Sequence, residues 1–163
     1  MDSSQKIVSV KKLLAKLKIL KRARKTVVFT NGCFDILHVG HVSYLEKARR
    51  GNRILVIGLN SDSSVRKLKG PNRPIVSQSA RARVLAGLAC VVFVVIFNEP
   101  TPLQLIAQVK PDVLIKGADW KRKVVAGSDV VKANGGRVEF IKFVNDFSTT
   151  NIIGAVLKKC ARE

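Results

Sequence analysis

Phe29-Thr30-Asn31-Gly32-Cys33-Phe34-Asp35-Ile36-Leu37-His38-Val39-Gly40-His41 is the stretch on which the fold turns. An apolar run reaches Thr30 and breaks at Asn31-Gly32, and a helical pattern from Val39 to Arg50 follows, so the stretch reads as strand, glycine turn and helix. Arg53 to Leu59, rich in Ile, Leu and Val, supplies a second strand and completes a β-α-β unit. Glycine at the turn lets the backbone approach a ligand without a Cβ clash. His38 and His41, three residues apart, share one face of the helix start, where free N–H groups and the helix dipole favour an anion. A phosphate group suits that place. The pair has two other readings, a metal site and simple core packing; no third ligand with metal spacing accompanies it, and the chain has only 2 histidines.

Working outward, Val10, Leu13, Leu14, Leu17 and Leu20 recur at helical spacing among lysines, which makes residues 1–24 an N-terminal cationic amphipathic helix. Lys25 to Thr30 is a buried strand. Downstream, Gly70-Pro71-Asn72-Arg73-Pro74 is a loop, Gln78 to Leu88 a helix and Val91 to Phe97 a strand. Thr101 to Val109 is a helix with Pro102 in its first turn, and Asp112 to Lys116 another buried strand. Ser128 to Ala133 is helical, Gly135-Gly136 stops it, Arg137 to Ile141 is a short strand, and Ser148 to Cys160 is the last helix. The alternation predicts an α/β fold, a Rossmann-like parallel sheet with helices on both faces, in a single domain spanning 1–163. Ligands of such sheets gather at the carboxyl ends of the strands. The unbroken apolar run Val91 to Phe97 reads as a central strand, with a subunit contact as the alternative.

The 163 residues carry 30 Lys and Arg against 11 Asp and Glu, a net charge of +19 that attracts polyanions whatever the fold does. Excess surface lysine and a nucleic-acid role are both open on charge alone. Three scattered cysteines, Cys33, Cys90 and Cys160, suggest neither a disulfide framework nor a zinc site and fit a cytoplasmic setting. Val8 to Leu20 is broken by four lysines, so neither a signal peptide nor membrane insertion is expected.

Several segments fall at predicted strand ends. Lys69 and Arg73 sit in the Gly/Pro loop, where mobile cations close over phosphates or are simply solvated; Arg81, early in a helix, has the same two readings. Lys116-Gly117-Ala118-Asp119-Trp120 follows a buried strand and offers a glycine, a cation and a carboxylate, or a plain turn. Ser148-Thr149-Thr150 opens the last helix as a cap whose hydroxyls and amides also suit a terminal phosphate.

Gly32-Cys33-Phe34-Asp35 followed by His38-Val39-Gly40-His41 resembles the His-x-Gly-His nucleotidyltransferases, among them the cytidylyltransferases, pantetheine-phosphate adenylyltransferase and class I aminoacyl-tRNA synthetases. The synthetases' Lys-Met-Ser-Lys-Ser motif is absent. Leu59-Asn60-Ser61-Asp62, Leu68-Lys69-Gly70-Pro71-Asn72-Arg73-Pro74-Ile75, Lys116 to Trp120 and Phe147-Ser148-Thr149-Thr150 together resemble the bacterial D-glycero-β-D-manno-heptose 1-phosphate adenylyltransferases over residues 25 to 157. The resemblance implies transfer of AMP from ATP to heptose 1-phosphate, giving ADP-heptose and pyrophosphate for lipopolysaccharide assembly. His38, His41, Lys69 and Arg81 would be catalytic. Thr30, Asn31, Gly32, Cys33, Phe34, Gly40, Lys116, Gly117, Asp119, Ser148, Thr149 and Thr150 would hold the nucleotide, and Asp35, Asn60, Asp62, Arg73 and Trp120 the sugar phosphate. Mg2+ would arrive with ATP; Asp35 either orients the Gly32 turn or meets that ion. A homodimer or higher homo-oligomer is implied too. Two alternatives stand: another sugar- or polyol-phosphate nucleotidyltransferase, such as a glycerol-3-phosphate cytidylyltransferase, and a cationic scaffold that binds nucleic acid with reduced catalysis. The chain departs from the family pattern at Gln78-Ser79-Ala80, where acids are usual, at Val92-Phe93, where Asp-Tyr is usual, and at Arg49 to Arg53, one residue short. Such losses suit a scaffold whose surface has been made cationic.

Overall fold

Thr26–Gly32 (β1) buries Val27, Val28 and Phe29 completely, as a strand covered by helices on both faces must. In the computed structural model, which describes residues 2–142 and 147–161, this strand is the middle of a five-stranded sheet of order β3-β2-β1-β4-β5. All pairings are parallel: β2 (Arg53–Asn60) and β4 (Val113–Gly117) flank β1, with β3 (Phe93–Phe97) and β5 (Arg137–Ile141) outermost. The helices are α1 (Val10–Arg22), α2 (Val39–Ala48), α3 (Asp62–Lys69), α4 (Gln78–Gly87), α5 (Leu103–Val109), α6 (Ser128–Ala133) and α7 (Thr149–Cys160). Alternate residues of each strand point to opposite faces, which separates two cores. Val27 and Phe29 pack with Leu13 and Leu17 of α1 and Leu105 and Ile106 of α5. Val28 packs instead with Leu45 and Ala48 of α2 and Ala82 and Leu85 of α4. Each fully buried Leu or Phe of this kind contributes roughly 1.5–3 kcal/mol.

The run Val91 to Phe97 does not become a central strand: β3 is an edge. Its apolar composition is explained by cover from the N-terminal segment, where Val8 N–H donates to Val94 O at 3.0 Å and Ile7 bridges Val94 in parallel. An apolar edge without such cover would invite pairing with other chains. A second difference is α3, which the sequence reading lacks because Val65 and Leu68 alone make no apolar stripe. Its start is nevertheless capped, with Ser61 Oγ accepting from Ser64 N–H at 3.2 Å, and Gly70 ends it at φ 94°, which favours glycine. Lys69 therefore stands on the last turn of a helix, not in a loop.

Candidate nucleotide-binding site

β1 delivers Asn31-Gly32 to the carboxyl edge of the sheet, and the chain then turns through Phe34, whose φ of 44° lies in the left-handed region. A non-glycine residue there costs about 1–3 kcal/mol and persists only where its surroundings hold it. Phe34 is buried, and its ring tilts onto that of His41 at 5.1 Å between centroids. His38 is the N-cap of α2, and its side chain makes no cap bond, so no side chain of the cap competes for the first-turn amides; the His41 N–H donates to His38 O at 2.9 Å. The rings of His38 and His41 stack, 3.9 Å apart and 29° from parallel. Gly40 makes this possible, since a Cβ there would lie 3.0 Å from His38 Nδ1. The Nδ1 atoms of both histidines are buried and without a hydrogen-bond partner among the described residues. Burial pulls the His38 imidazole below its usual range, and burial together with the adjacent His38 pulls His41 down to about 4. Both rings are thus neutral near pH 7, each with one N–H to donate.

His41 faces a cavity of about 550 Å³ between the strand ends, large enough for a nucleotide. Asn31, Gly32, Cys33, Phe34, Asn60, Lys69, Lys116, Gly117 and Trp120 line it, so about half of the residues expected to touch ligand come together, while His38 and Gly40 do not line it. Thr30 lies just beneath, its hydroxyl 2.7 Å from that of Tyr44. Lys116, buried, donates to Asn31 Oδ1 at 2.5 Å, and its Nζ lies 5.3 Å from the centre of the Trp120 ring. Burial pulls Lys116 down to about 8, with Asp119 acting in the opposite direction. Asn60 Nδ2 donates to Ser64 Oγ at 3.0 Å. Asp119 is exposed and does not line the cavity.

Four charged residues expected at the ligand are instead engaged with one another. Arg81 is not a free phosphate clamp: its side chain is fully buried, pairs with Asp62 at 2.7 Å, and donates to Val76 O at 2.9 Å and Cys33 O at 2.5 Å. Asp62 is correspondingly committed, and its N–H is taken by Gln78. The buried carboxylate of Asp35 pairs with Arg73 Nε at 2.5 Å and accepts from Ile75 N–H at 2.9 Å and Val76 N–H at 2.9 Å. Burial raises the Asp35 pKa, but those amides and the Arg73 guanidinium outweigh it and hold the group below the usual carboxylate range. Arg73 is therefore a fastened cation rather than a mobile one. A charged group out of water must be paired, which is why these four residues satisfy each other. Together they tie segment 73–76 to the Cys33–Asp35 turn.

The last helix reaches the same turn: Thr149 Oγ1 donates to Ile36 O at 3.4 Å, while Ser148 Oγ caps α7 by accepting from Asn151 N–H at 3.0 Å. Thr150 is exposed in the first turn. Residues the sequence reading missed also line the cavity, namely Tyr44, Leu68, Pro100, Thr101, Pro102 and Ala126. Tyr44 had a signal, being three residues beyond His41 on the same helix face. Pro100 to Pro102 follow the carboxyl end of β3, where parallel sheets place ligand contacts.

A parallel sheet with helices on both faces, a glycine turn after the first strand and paired imidazoles at the next helix start define a Rossmann-like fold of the nucleotidyltransferase type. Residues 29–155 match the cytidylyltransferase-like family model, and the chain belongs to that family. It is 56% identical over 143 residues to the bifunctional protein HldE of Syntrophotalea carbinolica, covering 88% of this chain and 29% of that protein. The HldE protein of Geobacter metallireducens is 51% identical over 162 residues, 99% of this chain and 33% of the relative. The chain thus spans about a third of the length of the curated relatives it matches. Among solved structures, a lipopolysaccharide core biosynthesis protein from Thermoplasma volcanium superposes with TM-score 0.58 at 25% identity, over 73% of this chain and 96% of that one. Pantothenate synthetase from Thermus thermophilus gives TM-score 0.60 at 20% identity, over 90% and 67%, and shows the shared fold. Among the described residues no helix is long and apolar enough to cross a membrane.

Proposed function

We propose that this chain transfers AMP from ATP to heptose 1-phosphate, releasing pyrophosphate and giving ADP-heptose. The observation that carries the reading is the stacked pair His38 and His41, two neutral imidazoles with unpartnered buried Nδ1 atoms at an open helix start beside a nucleotide-sized cavity. In the reaction an oxygen of the sugar phosphate attacks the α-phosphorus of ATP; the P–O bond to the β-phosphate breaks and its electron pair leaves with pyrophosphate. No covalent intermediate on the protein is needed, only alignment and neutralisation of charge on the phosphate oxygens. The two imidazoles donate to oxygens around the α-phosphorus, Lys69 adds a cation at the cavity wall, and the amides and hydroxyls at Ser148 to Thr150 hold the far phosphates. Lys116, Gly117 and Trp120 form the opposite wall. Mg2+ comes as part of the ATP substrate, bound to its phosphate oxygens, since the carboxylates of Asp35 and Asp62 are committed to arginines.

The identity to HldE proteins and the Lys69-Gly70-Pro71-Asn72-Arg73-Pro74 segment support heptose 1-phosphate as the acceptor over glycerol 3-phosphate. Exposure of Val156 and Leu157 on α7, which buries no residue, supports a homo-oligomer, and free thiols at Cys33, Cys90 and Cys160 support work in the cytoplasm. Pyrophosphate release with each of four nucleoside triphosphates, paired with heptose 1-phosphate or glycerol 3-phosphate, tests the reading. The expected best pair is ATP with heptose 1-phosphate; fastest turnover with CTP and glycerol 3-phosphate overturns it.

A further inference from the structure

A second concavity, about 390 Å³, lies at the opposite end of α2 from the histidines and shares no residue with the nucleotide cavity. Its walls carry four cations, Lys47, Arg50, Arg53 and Lys142, around the ring of Phe140, which is 37% exposed. The one acid in the wall, Glu139, is already neutralised: Arg53 and Arg137 both reach its Oε1 at 2.7 Å. Lys47, Arg50 and Lys142 have no ion-pair partner among the described residues. The concavity therefore keeps Lys47, Arg50 and Lys142 unpaired after Glu139 has answered Arg53, on a chain of net charge +19.

We infer that this concavity binds single-stranded nucleic acid, the Lys47, Arg50 and Lys142 side chains taking successive phosphates and the Phe140 ring stacking a base. Two independent features select this partner. Clustered cations attract any polyanion, but an exposed ring set between them suits a strand whose bases are free to stack. A lipid surface would call for a broad apolar face, whereas this is a narrow concave one with a single ring.

Fluorescence anisotropy of a labelled oligo(dT) 12-mer, titrated over a salt series, tests the inference. The triple variant Lys47→Glu, Arg50→Glu, Lys142→Glu is compared with Lys11→Glu, Lys12→Glu, Lys18→Glu, which changes the net charge equally on exposed positions of α1. The first triple should weaken binding more than tenfold and flatten the log-log salt slope by about 2, as loss of three phosphate contacts on a single strand implies. The α1 triple should cost less than threefold. Phe140→Ala should weaken binding about fivefold or more while leaving the salt slope unchanged. Circular dichroism and pyrophosphate release at wild-type level confirm that each variant is folded. Equal weakening by the two triples, unchanged affinity in Phe140→Ala, or capture by phosphatidylserine vesicles that the oligonucleotide does not compete with would overturn the inference.

Discussion

Two sets of charged or titratable side chains gather toward the carboxyl edge of the sheet, and they are built in opposite ways. His38 and His41 are stacked, half-buried and left with unpartnered Nδ1 atoms. Asp35, Arg73, Asp62 and Arg81 are closed into two ion pairs, with backbone groups of Cys33, Ile75 and Val76 meeting the capacity that remains. In the sequence all six residues read alike, as polar groups near a ligand. The structure separates two imidazoles with unpartnered Nδ1 atoms from four charges that pair with one another. An unsatisfied buried polar atom costs free energy, so the histidine pair is sustained by its surroundings, and the ion-paired set fastens the Cys33–Asp35 turn that leads into it.

The comparison breaks first at Arg81. Arg81→Met leaves Asp62 and two backbone carbonyls unpaired and should destabilise the fold by about 3–5 kcal/mol, read as a shifted urea midpoint. If Arg81 instead clamped substrate, Arg81→Met would retain its midpoint and lose only turnover. Acid comes next. Because the folded-state pKa of His41, about 4, lies below the unfolded value of about 6.5, the unfolded chain binds more protons between those two pH values. Stability should therefore fall as pH drops from 6.5 to 4, by roughly 3 kcal/mol, and His41→Gln should remove most of that slope. The smallest expected effect is at α7: Thr149→Val loses one long hydrogen bond to Ile36 O, about 0.5–1 kcal/mol at most. A loss of turnover larger than that stability change would mean the helix start acts on substrate as well as on the turn.

The sheet was legible because period and punctuation agree: apolar runs ending in Asn31-Gly32 and Lys116-Gly117 fix strands and their carboxyl ends together. What could not be read was which strand is an edge, since Val91 to Phe97 is apolar for a reason that lies nearly 90 residues away in Ile7 and Val8, which meet Val94. α3 was hidden because its stability comes from a serine cap and tertiary contact rather than an apolar stripe. The cavity residues at strand ends were legible for the same reason as the strands. The pairing of Asp35 with Arg73 and of Asp62 with Arg81 was not, because pairing depends on distances across 38 and 19 residues that no local pattern encodes.

The most direct test of the division between open histidines and closed ion pairs is His41→Ala assayed at pH 7 for pyrophosphate release from ATP and heptose 1-phosphate, with the urea midpoint measured alongside. Removing a preorganised donor to the reacting phosphate should slow turnover by about 10² or more while the midpoint stays near that of the unmodified chain. Near-normal turnover in a folded His41→Ala protein would contradict the account.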